Sequence, residues 1–233
     1  MQIDVWSDVV CPWCYIGKHR LESALARFPE RDAVKLVWHS FELDANSPKE
    51  SKLPMADLLA QKYGMSREKA KAMQAQVTGV AAQDGLTFRL DDALPTNTFD
   101  AHRLLHLAKA RGLQDTLKER LFLAYFTEGK PVGDATVLAD LAAEAGLDRA
   151  EAAAVLADAT AYAKEVRADE AHARQIGVRG VPFFVIDQKY GVSGAQPAEA
   201  ILGALTQAWG ERAPITAAGE VCDDDGCAVP AKA

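Results

Sequence analysis

The chain begins Met1-Gln-Ile-Asp-Val-Trp-Ser-Asp-Val-Val-Cys11-Pro-Trp-Cys14, so that two cysteines directly follow a short alternating run of apolar and polar residues. The alternation over residues 2–6 predicts a β-strand. After the cysteines, apolar residues recur every three to five positions, which predicts a helix over residues 12–28 that ends before Pro29. The Cys-X-X-Cys therefore lies where a strand gives way to a helix.

Two thiols at this place and spacing are typical of a thiol–disulfide redox site. A helix N-terminus carries about half a positive charge together with free backbone N–H groups, and both favour the thiolate form of Cys11. Pro12 suits the first helical position, where its missing N–H costs nothing. Cys14 follows one helical step later, near enough to close a small disulfide ring. We therefore expect a lowered pKa at Cys11.

The pattern after the first helix predicts a parallel strand pair and then a long helical segment. Residues 34–43 alternate as a second strand, which completes a βαβ unit with parallel strands and a right-handed crossover. From about residue 53 to residue 176, helical spacing replaces the strand pattern and predicts six or seven helices. The predicted helix starts are Ser66, Asn97-Thr98, Asp134 and Asp148, and the predicted ends are Gly64, Gly85, Gly112, Gly133 and Gly146.

Strand character returns at residues 181–186 and 190–193, with a turn between them that predicts an antiparallel hairpin. Pro197 then opens a helix that reaches about Trp209. A βαβ start, a helical insert and a ββα finish predict an α/β protein: a thioredoxin fold interrupted by a large all-helical domain. We expect a thioredoxin-like domain over residues 1–48 and 177–212, an inserted helical domain over 49–176, and a flexible C-terminal tail over 213–233.

Composition narrows the classes of partner and location. Of the 233 residues, 49% are apolar, and the net charge of −7 argues against nucleic acid or an anionic membrane as a partner. No stretch approaches the ~18 apolar residues of a membrane span, and no secretory signal precedes the first cysteine, so we expect a cytoplasmic protein. The four cysteines form two close pairs, which in a reducing compartment are more often catalytic or metal-binding than structural.

Three phrases of the sequence resemble the FrnE branch of the DsbA family over roughly residues 3–210. They are Ser7-Asp8-Val-Val-Cys11-Pro-Trp-Cys14-Tyr-Ile-Gly17-Lys18, Asn97-Thr98-Phe99 with Ala101-His102-Arg103-Leu104, and Gly180-Val181-Pro182-Phe-Phe-Val with Gly194-Ala-Gln196. The resemblance implies a thioredoxin fold with an inserted helical domain. It also implies thiol–disulfide oxidoreductase activity, proposed in this branch as disulfide isomerase.

The resemblance also assigns roles to residues. Cys11 would be the exposed nucleophile that forms a mixed disulfide with a polypeptide substrate, and the more buried Cys14 would resolve it. Val181 and Pro182 would be joined by a cis peptide bond beside the cysteines and present backbone groups to a bound peptide. Trp13 replaces the histidine of strongly oxidising relatives, so the disulfide should be less oxidising, and its indole offers an apolar platform for unfolded polypeptide.

Other functions compete with this interpretation. A glutathione-dependent transferase or isomerase of small molecules is the first alternative, because the chain also resembles kappa-class glutathione transferases and hydroxychromene-carboxylate isomerases, which share this architecture. Those enzymes have serine where Cys11 stands, so the cysteine pair favours protein redox chemistry. A binding or chaperone module that holds unfolded polypeptide is a third, non-enzymatic possibility. We expect no bound cofactor, with glutathione considered only as a redox partner beside a thiol reductant.

Metal sites are disfavoured by the motifs. A Cys₄ zinc site would need the tail cysteines, but Pro-Trp within the first pair and the helix that starts there are unlike a zinc knuckle. His102 and His106 have the i, i+4 spacing of a helical metal pair but lack the glutamate of the His-Glu-X-X-His motif. We therefore predict no metal. Because His102 and Asn97 fall in a phrase shared with the family, the resemblance implies that they line the cleft that faces Cys11, without assigning either a role.

The tail carries a second dithiol. Cys222 and Cys227 flank Asp223-Asp-Asp-Gly226, and the carboxylates disfavour a thiolate next to them. A disulfide between these thiols should therefore be harder to reduce than one between Cys11 and Cys14. We expect the tail pair to act as an auxiliary dithiol that passes electrons to the oxidised active site. An inert or metal-scavenging tail is the alternative that its composition leaves open.

Overall fold

The computed structural model describes residues 1–49, 51 and 53–212. Its sheet has four strands in the order β2-β1-β3-β4. They are β1 Gln2–Ser7, β2 Lys35–Ser40, β3 Phe183–Ile186 and β4 Tyr190–Ser193. Strand β1 pairs in parallel with β2 and antiparallel with β3, which pairs antiparallel with β4. The predicted parallel pair and the predicted C-terminal hairpin are both confirmed.

Helix α1, Pro12–Ala26, connects β1 to β2, and α9, Ala198–Gly210, follows β4. Between β2 and β3 the described residues form seven helices, as the sequence predicts. They are α2 Met55–Tyr63, α3 Arg67–Gln83, α4 Phe99–Ala110, α5 Gln114–Phe126, α6 Ala135–Glu144, α7 Arg149–Ala157 and α8 Ala163–Gln175.

Most of the predicted helix boundaries follow from capping chemistry. The side chains of Ser66, Asp134 and Asp148 each accept a hydrogen bond from a backbone N–H in the first turn of α3, α6 and α7. Asn97 does the same for Phe99 at the start of α4. The prediction that Gly133 ends a helix is wrong, because α5 already ends at Phe126. A Cβ on Gly133 would lie 1.8 Å from Thr96 Oγ1, so this glycine serves close packing instead.

The two faces of the sheet pack against different helices. Successive side chains of a strand point to opposite faces. Accordingly, Ile3 and Val5 of β1 join the apolar cluster that α1 and α9 form on one face. Trp6 points to the other face, where it packs with Ala173 of α8. The sheet is thus covered on both sides, once by its own helices and once by the last helix of the predicted insert.

The largest apolar cluster joins the start of α1 to the inserted helices. Cys11, Cys14 and Tyr15 belong to the same buried cluster as Leu104 of α4 and Phe122 of α5. The site at the strand–helix junction therefore lies against the insert rather than at a free edge of the sheet. None of the described helices is long and apolar enough to cross a membrane. The predicted tail, with Cys222 and Cys227, lies outside the described residues.

Candidate active site

The first cysteine of the Cys-X-X-Cys is the residue at which α1 begins. Cys11 has extended backbone angles, Pro12 follows at the first helical position, and the backbone N–H of Cys14 donates to Cys11 O at 3.0 Å. Both cysteines are free thiols. The sequence prediction that the pair lies where strand β1 gives way to a helix is confirmed.

The loop before β3 closes over the cysteine pair. The Cys11 thiol donates to Val181 O at 3.6 Å, and the peptide bond between Val181 and Pro182 is cis, as the resemblance implies. Trp13, between the cysteines, is 39% exposed. The structure thus brings together all five predicted site residues of the described chain, with the indole as the part open to solvent.

Close packing holds the proline loop against α1. A Cβ on Gly17 would lie 2.8 Å from Pro182 Cγ and 3.3 Å from the Phe184 ring, so only a glycine fits here without a shift. On its other side, Pro182 O accepts a hydrogen bond from the Gly194 N–H at 2.8 Å. Gly17 and Gly194 come from different phrases of the sequence and fix the same loop from two directions.

Cys11 differs from the sequence prediction in its exposure and its pKa. We expected an exposed thiol with a lowered pKa, but the residue is only 4% exposed and its pKa is raised well above its usual value. The hydrogen bond with Cys14 is the largest cause, followed by burial and by the negative charges of Cys14 and Asp8. The backbone N–H of Cys14 favours the thiolate, as a helix start should, but it is outweighed. Cys14 is 0% exposed and thus the more buried thiol, as predicted.

A buried acid lies directly before the cysteines. Asp8 is 1% exposed and accepts hydrogen bonds from the Leu43 N–H at 2.7 Å and from His102 Nε2 at 3.3 Å. Burial opposes its ionisation, but His102, the Leu43 N–H and the charge of Lys118 together lower the pKa of Asp8. A carboxylate is therefore held beneath the site without contact with solvent.

The expected cleft-lining role of His102 is wrong. This residue is 0% exposed, it bonds Asp8, and its Nδ1 has no partner among the described residues. Its pKa is lowered by burial, against the pull of Asp8. His106, the second member of the i, i+4 pair, bonds Ser40 and Asp169 instead. Asn97 donates to Ala45 O and so anchors a loop.

Lys118 of α5 also lies near the site, although none of the sequence motifs includes it. This residue is 0% exposed, donates to Ser7 O at 3.4 Å, and lies over the rings of Trp38 and Phe122. Burial lowers the pKa of Lys118 to about 8, although the charges of Cys14, Asp8, Cys11 and Asp115 raise it. The available signal was its spacing, which places it on the same helical stripe as Phe122 and Tyr125.

The second partner of α1 is the buried face of α5. Tyr15 donates to Glu119 Oε1 at 2.6 Å and stacks on Phe122 with ring centroids 4.8 Å apart. Lys18 is 2% exposed and pairs with Glu119 at 2.8 Å. Burial raises the pKa of Glu119, but hydrogen bonds from His19, Lys18 and Tyr15 lower it to about 2. The helix that carries the cysteines is thereby fixed to the insert by both apolar and charged contacts.

The chain matches a known protein family in sequence and a solved structure in fold. The model of a family described as the DSBA-like thioredoxin domain matches residues 2–206. The crystal structure of a probable DsbA oxidoreductase from Streptomyces coelicolor is 52% identical, covers 99% of this chain and 100% of its own, and superposes with a TM-score of 0.88. The predicted thioredoxin fold with a helical insertion is confirmed.

Solved structures of lower sequence identity share the fold but differ in activity. A cytosolic disulfide reductase, DsbM, from Pseudomonas aeruginosa has a TM-score of 0.62 at 18% identity, with 89% of this chain and 98% of that chain covered. A 2-hydroxychromene-2-carboxylate isomerase has a TM-score of 0.60, also at 18% identity, with coverage of 90% and 95%. The Bacillus subtilis protein YwbO is 30% identical over 80% of this chain and 86% of its own. Fold alone therefore does not separate disulfide chemistry from small-molecule isomerisation.

Proposed function

Since the chain belongs to the DSBA-like thioredoxin domain family of thiol–disulfide oxidoreductases, we propose that it exchanges disulfides with polypeptides through Cys11-Pro12-Trp13-Cys14. The observation that carries the proposal is the contact of the Cys11 thiol with Val181 O, 3.6 Å away. A buried second thiol stands behind it in the same turn of helix. The Cys11 sulfur thus lies between the Cys14 thiol, which can resolve a mixed disulfide, and the backbone at Val181, which can pair with an extended peptide.

In the reductive direction, the chemistry is a pair of exchanges. The Cys11 thiolate attacks one sulfur of a substrate disulfide, and the other substrate sulfur leaves as a thiolate. Cys14, as the thiolate, then attacks the Cys11 sulfur, which breaks the mixed disulfide and expels the second substrate thiolate. The substrate has gained two electrons and the enzyme holds a Cys11–Cys14 disulfide. If another thiolate of the substrate attacks the substrate sulfur of the mixed disulfide before Cys14 does, a new substrate disulfide forms and the Cys11 thiolate leaves, which is isomerisation.

The environment of Cys11 supports reduction or isomerisation over strong oxidation. A strong oxidant has a reduced form that is stabilised through an ionised, low-pKa thiol. Here the pKa of Cys11 is raised by Cys14 and by burial, and the neighbouring Trp13 offers no charge. The reduced pair lacks that stabilisation, so its disulfide is a weak oxidant.

Exposed apolar side chains support a polypeptide as the substrate. Trp13 is 39% exposed and Leu43 is 43% exposed, and the Leu43 N–H bonds Asp8, close to the start of α1. Their side chains offer apolar contact to an unfolded chain beside the reactive sulfur. We propose a thiol reductant, with glutathione as one candidate, as the partner that restores the reduced pair. The cytoplasm is the proposed compartment.

Reduction of insulin tests this function. The wild-type protein should reduce insulin in the presence of a thiol reductant, Cys11→Ser should be inactive, and Cys14→Ser should accumulate a mixed disulfide through Cys11. Peptide mapping of that adduct identifies the nucleophile, and an adduct on Cys14 in the Cys11→Ser protein alone would reverse the assignment. Conjugation of glutathione to a model electrophile, without insulin reduction, would favour the transferase alternative.

A further inference from the structure

Lys118 is a buried cation that forms no salt bridge with any of the described residues. Its single hydrogen bond within the described part of the chain goes to Ser7 O, at a long 3.4 Å. Aromatic rings face its Nζ on two sides, Trp38 at 5.6 Å and Phe122 at 5.0 Å from the ring centroids. Lys18 is buried to a similar extent, but a carboxylate of Glu119 lies 2.8 Å from its Nζ. Burying an ammonium group without such a partner is costly, which makes Lys118 unusual.

The charged groups that surround Lys118 belong to the active site. Lys118 Nζ donates to Ser7 O, and the O of the next residue, Asp8, accepts the Cys11 N–H at 3.3 Å, so Lys118 contacts the loop that leads into the cysteines. The charges of Cys14, Asp8 and Cys11 act on it there. Helix α4 contributes His102, and its own helix contributes Asp115. Asp8 is already bonded to the Leu43 N–H and to His102, so the thiols are the groups whose charge can still change with the reaction.

We propose that Lys118 is the buried counter-charge of the Cys11–Cys14 pair, taking up a proton when the pair is reduced and ionised and releasing it when the disulfide forms. This role rests on the proposed disulfide exchange. Lys118 acts through its field on the thiols, so it is a positioning residue.

The charge balance of the resolving step gives the reason. The electron pair of the Cys14 thiolate forms the bond to the Cys11 sulfur, and the broken bond sends an electron pair out with the substrate sulfur. One negative charge thereby leaves the buried site, and the ammonium of Lys118 loses the compensation that this charge supplied. Burial lowers the pKa of Lys118 to about 8 even though the thiol charges raise it. Loss of those charges therefore lowers it further, and the proton leaves to solvent. Reduction reverses both movements.

Titration of Lys118 in the wild-type protein tests the coupling without any substrate. The Nζ signal of isotope-labelled lysine, assigned by its loss in Lys118→Arg, is followed against pH after reduction with dithiothreitol and again after oxidation to the Cys11–Cys14 disulfide. We expect the proton affinity of Lys118 to be at least tenfold higher in the reduced, ionised protein. Equal titration in the two redox states would overturn the proposal.

The kinetics of resolution provide the second test. In single-turnover exchange, Lys118→Met should slow the attack of Cys14 on the mixed disulfide about tenfold near neutral pH and less at higher pH, whereas Lys118→Arg should restore the rate. Leu117→Ala, also at a fully buried position of α5, should lower stability without moving the pH profile. An unshifted profile in Lys118→Met contradicts the proposal. Redox-dependent titration without insulin reduction would support the coupling while rejecting a polypeptide substrate.

Discussion

Gly17 decides how closely α1 approaches the loop that covers the reactive thiol. It lies inside a helix, where alanine would be favoured by about 1 kcal/mol. Its missing Cβ is required, however, because Pro182 Cγ would be only 2.8 Å away. A proline ring is stiff and cannot turn aside as a long side chain does. Close contact with Pro182 therefore outweighs helix propensity at this position.

We predict that Gly17→Ala lowers activity more than stability. Overpacking costs about 1–3 kcal/mol, and the helix propensity gain offsets part of it. The shift of Pro182 away from Cys11 should still reduce insulin reduction several-fold. Gly203→Ala is the matched control, since that glycine lies inside α9 with nothing within 4 Å of its Cβ position. Equal gains in stability with full activity for both variants would show that the Gly17 contact is not tight.

Single residues also link the helices of the insert to each other. Arg103 of α4 is 2% exposed and donates to the carbonyl oxygens of Val155 and Asp158, each at 2.6 Å, and to Asp100 Oδ1 at 2.7 Å. The carbonyls at the end of α7 have lost their helical partners, so the guanidinium satisfies them in place of a cap. One side chain thereby fixes the end of α7 against α4.

Replacing this arginine should unfold the insert more easily. We predict that Arg103→Met destabilises the protein by about 3–5 kcal/mol, because several carbonyls lose their buried donor at a cost of about 1–3 kcal/mol each, while Asp100 keeps only Lys49 as a cationic partner. Arg149→Met is the control, since Arg149 forms an exposed pair with Asp140 and should change stability by roughly 0–1 kcal/mol. Urea unfolding measures both, and similar midpoints for the two variants would refute the role of Arg103.

At the level of elements, α8 is held to the sheet by a charged cluster. His39 of β2 lies between Asp4 of β1 and Asp169 of α8, with N–O distances of 2.8 and 2.7 Å. Burial lowers the pKa of His39, but hydrogen bonds to Asp169 and Asp4 raise it further, and the net pKa is above its usual 6.5. When it is protonated, the imidazole can donate to both carboxylates and so link the two strands to the helix.

The sign of this pKa shift gives a pH dependence. A raised folded-state pKa adds stability that is complete below about pH 6.5 and is lost as the pH rises through the folded-state pKa. We predict that the difference in unfolding free energy between the wild type and His39→Gln is largest near pH 6 and shrinks towards pH 9. Taking the difference between the two proteins removes the contribution of Glu42, whose pKa is raised to about 7 by burial. A difference that stays constant over this range would contradict the prediction.

Over the whole molecule, local patterns predict what local forces determine. Strand alternation, the capping side chains of Ser66, Asp134 and Asp148, and the helix start at Pro12 all depend on neighbours in sequence, and they were read correctly. The sequence does not predict the burial of Cys11 or the contact of Lys118 with Ser7 O. Both arise because α5 packs against the start of α1, about a hundred residues away in sequence, and no local pattern encodes that contact.

The tail cysteines would act over a long distance in sequence, since they are proposed to pass electrons to the Cys11–Cys14 pair. Ending the chain at Val221 removes Cys222 and Cys227. We predict that the first turnover of insulin is unchanged and that recycling of the oxidised Cys11–Cys14 pair slows, because the auxiliary dithiol is lost. Stopped-flow measurements separate the two phases, and mass spectrometry should find a cross-link from Cys11 to a tail cysteine in the full chain. Unchanged recycling and no such cross-link would leave the tail without a redox role.

The reactive cysteines belong to the thioredoxin-like part of the chain, but they lie in one apolar cluster with the helices of the insert. Exchanging the insert would therefore change the surroundings of the cysteines. Consider a chimera that keeps this strand–helix junction but takes its helical segment from a distant relative. Its thiols would pack against different apolar side chains, and a different residue would replace Lys118. Such a hybrid would keep its fold and its Cys-Pro-Trp-Cys, yet its reduction potential would follow the donor of the helices. Substitutions in the thioredoxin-like part and in its helical insert are therefore expected to depend on each other.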